Sequence, residues 1–335
     1  MKQGKASIRF EHPVRIISAA SIASKKEKEG PLGEFIDYID EDPKFGKNTW
    51  EEAESQMQFL AAQKAIEKAG ISKNKIRYIF AGDLLGQSIA TSFGIMDFNI
   101  PFFGLYGACS TMGESLSLGA MTINSDYADY VICMTSSHFA SAEKEFRYPL
   151  EYGNQRPFSA TWTVTGSGAV VLGKKGGTVG IKGITTGKII DYGIKDSMNM
   201  GAAMAPAAAD TIYRNFIDFA IDPSYYDKII TGDLGYIGQT ALIDLLNRKG
   251  YDISNIHMDC GIEIYNKEEQ DTHAGGSGCG CAAVTLCAYI LKQMEKGKWK
   301  KVLFVPTGAL LSTVSFNEGQ SIPSIAQAVM LEKNN

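Results

Sequence analysis

Cys109, in the segment Gly107-Ala-Cys109-Ser-Thr-Met-Gly, is the residue whose type and position offer the most chemistry. It follows a predicted strand and opens a predicted helix. The unpaired N–H groups and positive dipole end of a helix start favour a thiolate and can also hold an anion. Ser110 adds a second N–H at the same turn. The competing reading is a small cysteine packed as a hydrophobe. Two acids stand at matching positions, Asp83 in Ile79-Phe-Ala-Gly-Asp83 and Asp233 in Ile229-Ile-Thr-Gly-Asp233. His273 and Gly276 lie in the run Thr272-His-Ala-Gly-Gly-Ser-Gly-Cys-Gly-Cys281. His273, Cys279, Cys281 and Cys287 lack the paired Cys-x2-Cys spacing of zinc sites, so no metal is expected. Gly166-Ser-Gly168 and Gly176-Gly177 form neither GxGxxG nor a GK[ST] loop, so no nucleotide cofactor is expected. Arg147 and Arg156 either reach a carboxylate from a lid over residues 139–165 or are simply solvated.

The elements that must position these residues repeat along the chain. Val14-Arg-Ile-Ile-Ser recurs as Val179-Gly-Ile-Lys-Gly, and the two Gly-Asp segments correspond. Cys109 precedes Asp129 and its strand by the same interval that separates Cys281 from Lys301 and its strand, and Ala169-Val-Val-Leu recurs as Ala328-Val-Met-Leu. Four matches in one order predict a duplicated α/β chain with halves at 1–175 and 176–335. Helices are predicted at 49–70 from the capping box Thr49-Trp-Glu-Glu52, and at 111–124, 202–220, 239–249 and 282–296. Continuous apolar strands at 76–81, 130–135 and 228–231 imply sheets covered on both faces. The charged stretch 25–47 reads as an inserted, solvated loop.

Composition bounds the function. The 335 residues carry 33 Lys and Arg against 37 Asp and Glu, and 33 − 37 = −4 leaves no basic field for nucleic acid. The first fifteen residues lack the apolar core of a signal peptide, and the longest uncharged run, 274–291, is too small and polar to span a bilayer. Six cysteines in a long chain suggest a reducing compartment without structural disulfides.

The turn at Cys109, the strand entered at Asp129 and the segment Gly166-Ser-Gly-Ala-Val-Val-Leu172 resemble the thiolase and β-ketoacyl synthase superfamily. That resemblance implies duplicated halves with two five-stranded mixed sheets and central helices in α-β-α-β-α layers, and homodimerisation through the strand near 102–106. It also implies a nucleophilic cysteine served by a His and an Asn, which activate the thiol or bind the thioester oxygen. Here Asp233 stands where the His belongs and Gly275-Gly-Ser-Gly where the Asn belongs. An Asp anion beside Cys109 would raise the thiol pKa. These departures occur together with Gly-Asp-Leu-Leu-Gly-Gln (82–87), Tyr-Gly-Ala-Cys-Ser-Thr-Met-Gly-Glu (106–114) and Arg-Pro-Phe-Ser-Ala-Thr-Trp-Thr-Val-Thr-Gly (156–166). In that combination the chain resembles the stage V sporulation AD branch of the superfamily.

The branch implies a non-catalytic protein that binds dipicolinic acid (pyridine-2,6-dicarboxylate), free or with calcium, for its uptake into the developing spore. It further implies a place with other stage V sporulation A membrane proteins, peripheral to the spore inner membrane on its cytoplasm-facing or intermembrane side. The ligand would occupy the acyl site, held by the N–H groups at Cys109 and Ser110 and by a donor such as His273, with Gly276 also at the site. Asp83 and Asp233 either reach the ligand through calcium or cap the following helices. Capping is the expectation for Asp233, and Asp83 stays open. The alternative function is a Cys109-dependent acyltransferase or condensing enzyme with His273 as base.

Overall fold

The computed structural model describes residues 1–146 and 156–334. The first half supplies strands β1 (Ser7–Ser24), β2 (Ile76–Gly82), β3 (Phe102–Gly104), β4 (Tyr130–Ser137) and β5 (Gly166–Gly173). The second supplies β6 (Val179–Thr185), β7 (Lys228–Thr231), β8 (His257–Asp259), β9 (Lys301–Val305) and β10 (Ala328–Lys333). Taken inward from its own edge, one array runs β3-β2-β4-β5-β1 and the other β8-β7-β9-β10-β6. In both, the two outer pairings are parallel and the next two antiparallel. The mixed α/β fold expected from the sequence is therefore the fold observed.

One correction applies to the two separate five-stranded sheets. Strand β1 is 18 residues long and belongs to both arrays. Ser7–Arg9 and Val14–Ile16 ladder onto β6, while Arg15–Ala23 ladder onto β5, so ten strands form one hydrogen-bonded path. The register breaks between Arg9 and Val14, the stretch that contains Pro13. Proline has no N–H to give a ladder, and such breaks bend a strand from one sheet toward another.

Helix α1 (Trp50–Ala69) begins at the expected capping box, with both reciprocal bonds of Thr49 and Glu52 formed, and ends at left-handed Gly70. It covers the outer face of the first array, where Met57, Ala61, Ala65, Ile79, Met134 and Val171 share one buried cluster. Helix α2 (Thr111–Asn124) and helix α5 (Cys279–Thr285, continued through a π turn to Glu295) form the middle layer. They share a core with strands of both arrays. Gly168 of β5 permits this closeness: a Cβ there would stand 2.5 Å from the Ala283 carbonyl of α5. Helices α3 (Met200–Phe219) and α4 (Gly235–Asn247) cover the second array.

Helix α4 starts four residues before the predicted 239. The Asp259 carboxylate, from the end of β8, accepts the Leu234 and Gly235 N–H groups at 2.9 and 3.0 Å, a cap that no local sequence pattern announces. Residues 25–47 also depart from expectation. Instead of a solvated excursion, Tyr38–Asp40 pairs in parallel with β1, and Asp37 meets Lys68 at 2.8 Å and Lys292 at 3.3 Å. Glu27 is fully buried, accepting from the Tyr265 hydroxyl and the Thr165 N–H. Arg147 and the rest of 147–155 in the expected lid lie outside the described residues, while Phe139–Phe146 forms a helix and Trp162–Thr163 a short strand. Arg156 is buried, bonded to Asp271 and stacked over Trp162.

Candidate ligand cavity

Chain leaving β3 turns through Ala108, whose φ of 50° is left-handed, into a single 3-10 turn over Ala108–Ser110 and then into α2. A left-handed non-glycine residue costs on the order of 1–2 kcal/mol, and such strain concentrates at working sites. The turn brings Cys109 to the floor of a cavity of about 270 Å³, although the residue is only 8% exposed. Leu84, Tyr106, Thr163, Ser277 and Gly278 form much of the wall, together with Met200 and residues 309–312. Gly278 has a φ of 99°, and a Cβ on it would stand 2.5 Å from the Ser137 hydroxyl oxygen, so only glycine fits the start of α5 here.

Behind Cys109 lies Asp233, 1% exposed. Its Oδ2 accepts the Gly278 N–H at 3.1 Å and its Oδ1 the Thr307 hydroxyl at 2.8 Å. Burial pushes its carboxyl up to about 7, against the lowering effect of its contact with the Cys109 thiol. Burial also drives the Cys109 thiol well above its ordinary range, and the neighbouring Asp233 charge adds to the rise. The turn that would favour a thiolate thus holds a thiol.

The capping expected of Asp233 falls to another acid, and Asp83, left open by the sequence, takes a capping role of its own. Asp233 does not cap α4; Asp259 does, and its carboxylate also accepts from Thr231, Gly261 and Ile262. Asp83 is the capping residue. Its oxygens accept Leu85 N–H and Thr91 N–H at 2.8 Å each, and the Thr91 hydroxyl at 2.5 Å, securing the short helix Ile89–Ile95. Asp83 itself does not line the cavity; its neighbour Leu84 does.

Three other expected contacts are placed elsewhere. Ser110 is buried, with its N–H and hydroxyl both committed to the Gly107 carbonyl, so the amide expected to hold a carboxylate is already used. Gly276 faces away: a Cβ on it would meet Ile264, Tyr265 and Val164. Strand residues alternate faces, so Ser277 is the one that reaches the cavity. His273 lines a different groove, with Tyr236, Lys267 and Glu268. Its Nδ1 lies 2.9 Å from the Pro157 carbonyl and its Nε2 3.0 Å from Asp271. Of the six expected residues, Cys109 and Asp233 come together at the cavity. Sequence reasoning missed Thr163, Ser277, Gly278 and Asp259, although the Gly275-Gly-Ser-Gly run already held two of them.

Among the described residues, no group of three or more His, Cys, Asp or Glu is arranged to hold a metal, and no helix is long and apolar enough to cross a membrane.

Solved structures with the same architecture include 3-oxoacyl-[acyl-carrier-protein] synthase III from Aquifex aeolicus VF5, at TM-score 0.59 and 15% identity over 95% of this chain and 99% of that one. A variant of Xanthomonas campestris OleA matches at TM-score 0.59 and 14% identity over 97% of this chain and 99% of that one. At these identities the likeness shows the thiolase-like fold. A family model described as stage V sporulation protein AD matches residues 4–332. Stage V sporulation protein AD of Bacillus subtilis (strain 168) is 42% identical over 330 residues, 98% of this chain and 97% of that protein. With its fold and nearly its whole length accounted for in this way, the chain belongs to the stage V sporulation protein AD family.

Proposed function

We propose that this sporulation-family protein is a non-catalytic binding protein for dipicolinic acid, serving its uptake into the developing spore. The observation that carries the non-catalytic part is the pairing of Cys109 with Asp233. Condensing chemistry needs a thiolate or a base that can make one. Here burial and a neighbouring carboxyl both hold the proton on sulfur. The cavity suits a small flat ring: it is compact, largely apolar, and edged by the hydroxyl-bearing Thr163, Ser277 and Ser312. The ligand assignment itself comes from the family resemblance. On the same basis the protein works with other stage V sporulation A membrane proteins at the spore inner membrane.

The test is calorimetric titration of the full chain with dipicolinate, with and without calcium, alongside incubation with acetyl-CoA. Saturable heat and no Cys109 acylation are expected. No binding under any condition would overturn the ligand, and Cys109-dependent release of CoA in repeated cycles would overturn the non-catalytic reading.

A further inference from the structure

The residues lining the cavity at Cys109 include, among those described, no Lys, Arg or His. An anionic ligand therefore enters without a countercharge from these walls. Directly behind the floor stands an acid whose two oxygens are tied to Gly278, a wall residue, and to Thr307. Among the described residues, the titratable groups most strongly coupled to it include no cation. They are Cys109 on the turn before α2, Cys279 and Cys281 on α5, and Asp259 and Cys260 at the end of β8. Asp83 and Glu54 act on Cys279, one layer farther out.

We propose that Asp233 sets the charge selectivity of this cavity: it admits an aromatic carboxylate whose charge is neutralised by a proton or a bound cation, and discriminates against the free anion. The choice of an aromatic dicarboxylate rests on the function proposed above; the selectivity rests on the cavity. Asp233 acts as a positioning residue, through Cys109 and Gly278 and through its field. One unit charge at roughly 6 Å, in surroundings of effective dielectric about 20, changes affinity by about a hundredfold. The ionisation of Asp233, with its carboxyl near 7, brings that penalty in as pH rises.

Cys109 supplies a probe that needs no knowledge of the ligand. Iodoacetamide and iodoacetate have nearly the same shape and differ in charge. Each alkylates by forming an S–C bond as iodide leaves and the thiol proton passes to water. Comparing their rates at Cys109 cancels any change in thiolate fraction, because both reagents meet the same sulfur. Site-resolved mass spectrometry on the wild type and Asp233→Asn would give the amide-to-acetate rate ratio from pH 5.5 to 8.5, corrected for the same ratio on a free thiol. In the wild type the ratio should rise about tenfold or more as pH passes through 7. In Asp233→Asn it should stay low and flat. The wild-type profile stands even if the variant folds poorly. An equal, pH-independent ratio in both proteins would overturn the proposal, and so would failure of both reagents to reach Cys109, since the cavity would then be closed to solutes of this size. A calorimetric series with dipicolinate and its uncharged diamide separates the two claims. If neither ligand binds, dipicolinate binding falls while the alkylation ratio still decides the role of Asp233.

Discussion

Replacing Glu27 by Gln should shift stability in the variant's favour as pH rises from acid to alkaline. Glu27 is fully buried on the short helix Lys25–Lys28. One carboxyl oxygen accepts from Tyr265 and Thr165, while the other has no partner among the described residues. Burial raises its pKa from 4.5 to about 7, against the lowering effect of its hydrogen bonds. The folded protein thus binds a proton that the unfolded chain gives up above 4.5. Stability from this group is intact below 4.5, declines as pH rises toward 7, and is fully lost above. At 1.36 kcal/mol per pKa unit the loss is about 3 kcal/mol. Gln keeps an acceptor for Tyr265 and Thr165 and does not ionise. Its buried NH2 costs about 1–3 kcal/mol if unpaired, at every pH. The informative quantity is therefore the change in the difference between the two proteins, not its absolute value. Urea unfolding followed by circular dichroism at pH 5, 6, 7 and 8 measures it. The stability of Glu27→Gln relative to wild type should grow by about 2.5 kcal/mol across that series. Parallel stability curves would refute the assignment of Glu27 as a buried, proton-binding acid.

Gly278→Val should lower stability by at least about 2 kcal/mol, because it combines a left-handed backbone with a clash against Ser137; an unchanged melting temperature would contradict the geometry. For dipicolinate affinity by calorimetry, Cys109→Trp should abolish measurable binding by filling the cavity, while His273→Ala, in a separate groove, should change it less than about twofold. The reverse pattern would move the ligand site to the His273 groove.

Much of this architecture was legible because its signals are local. Thr49, Glu52 and Gly70 mark the ends of α1, the small residues after Ser110 mark α2, and the apolar runs at 76–81 and 228–231 are buried strands. The repeat of these signals carried the duplication into the strand order. What escaped was decided across the chain. Asp83 and Asp233 sit in similar segments, yet one turns back onto Thr91 while the other is drawn toward Cys109 and Gly278. The difference depends on Asp259, which takes over the cap that Asp233 would otherwise supply. Gly276 missed the cavity by one residue, a matter of strand face. Glu27 was hidden because, in Lys25-Lys-Glu-Lys-Glu29, nothing distinguishes the one buried charge from its solvated neighbours.

The shared strand β1 has a consequence for how the chain matures. Its first residues pair with β6, so Ser7 waits for Thr185, 178 positions later. A nascent first half leaving the ribosome can assemble β3-β2-β4-β5 around the later part of β1, but the leading end then projects as an open edge. Open edges recruit other strands, and pairings this distant in sequence form slowly. The early product is a half-molecule with a sticky leading strand, exposed until β6 has been synthesised. Synthesis speed through residues 76–185 therefore sets how long each new chain is vulnerable to aggregation.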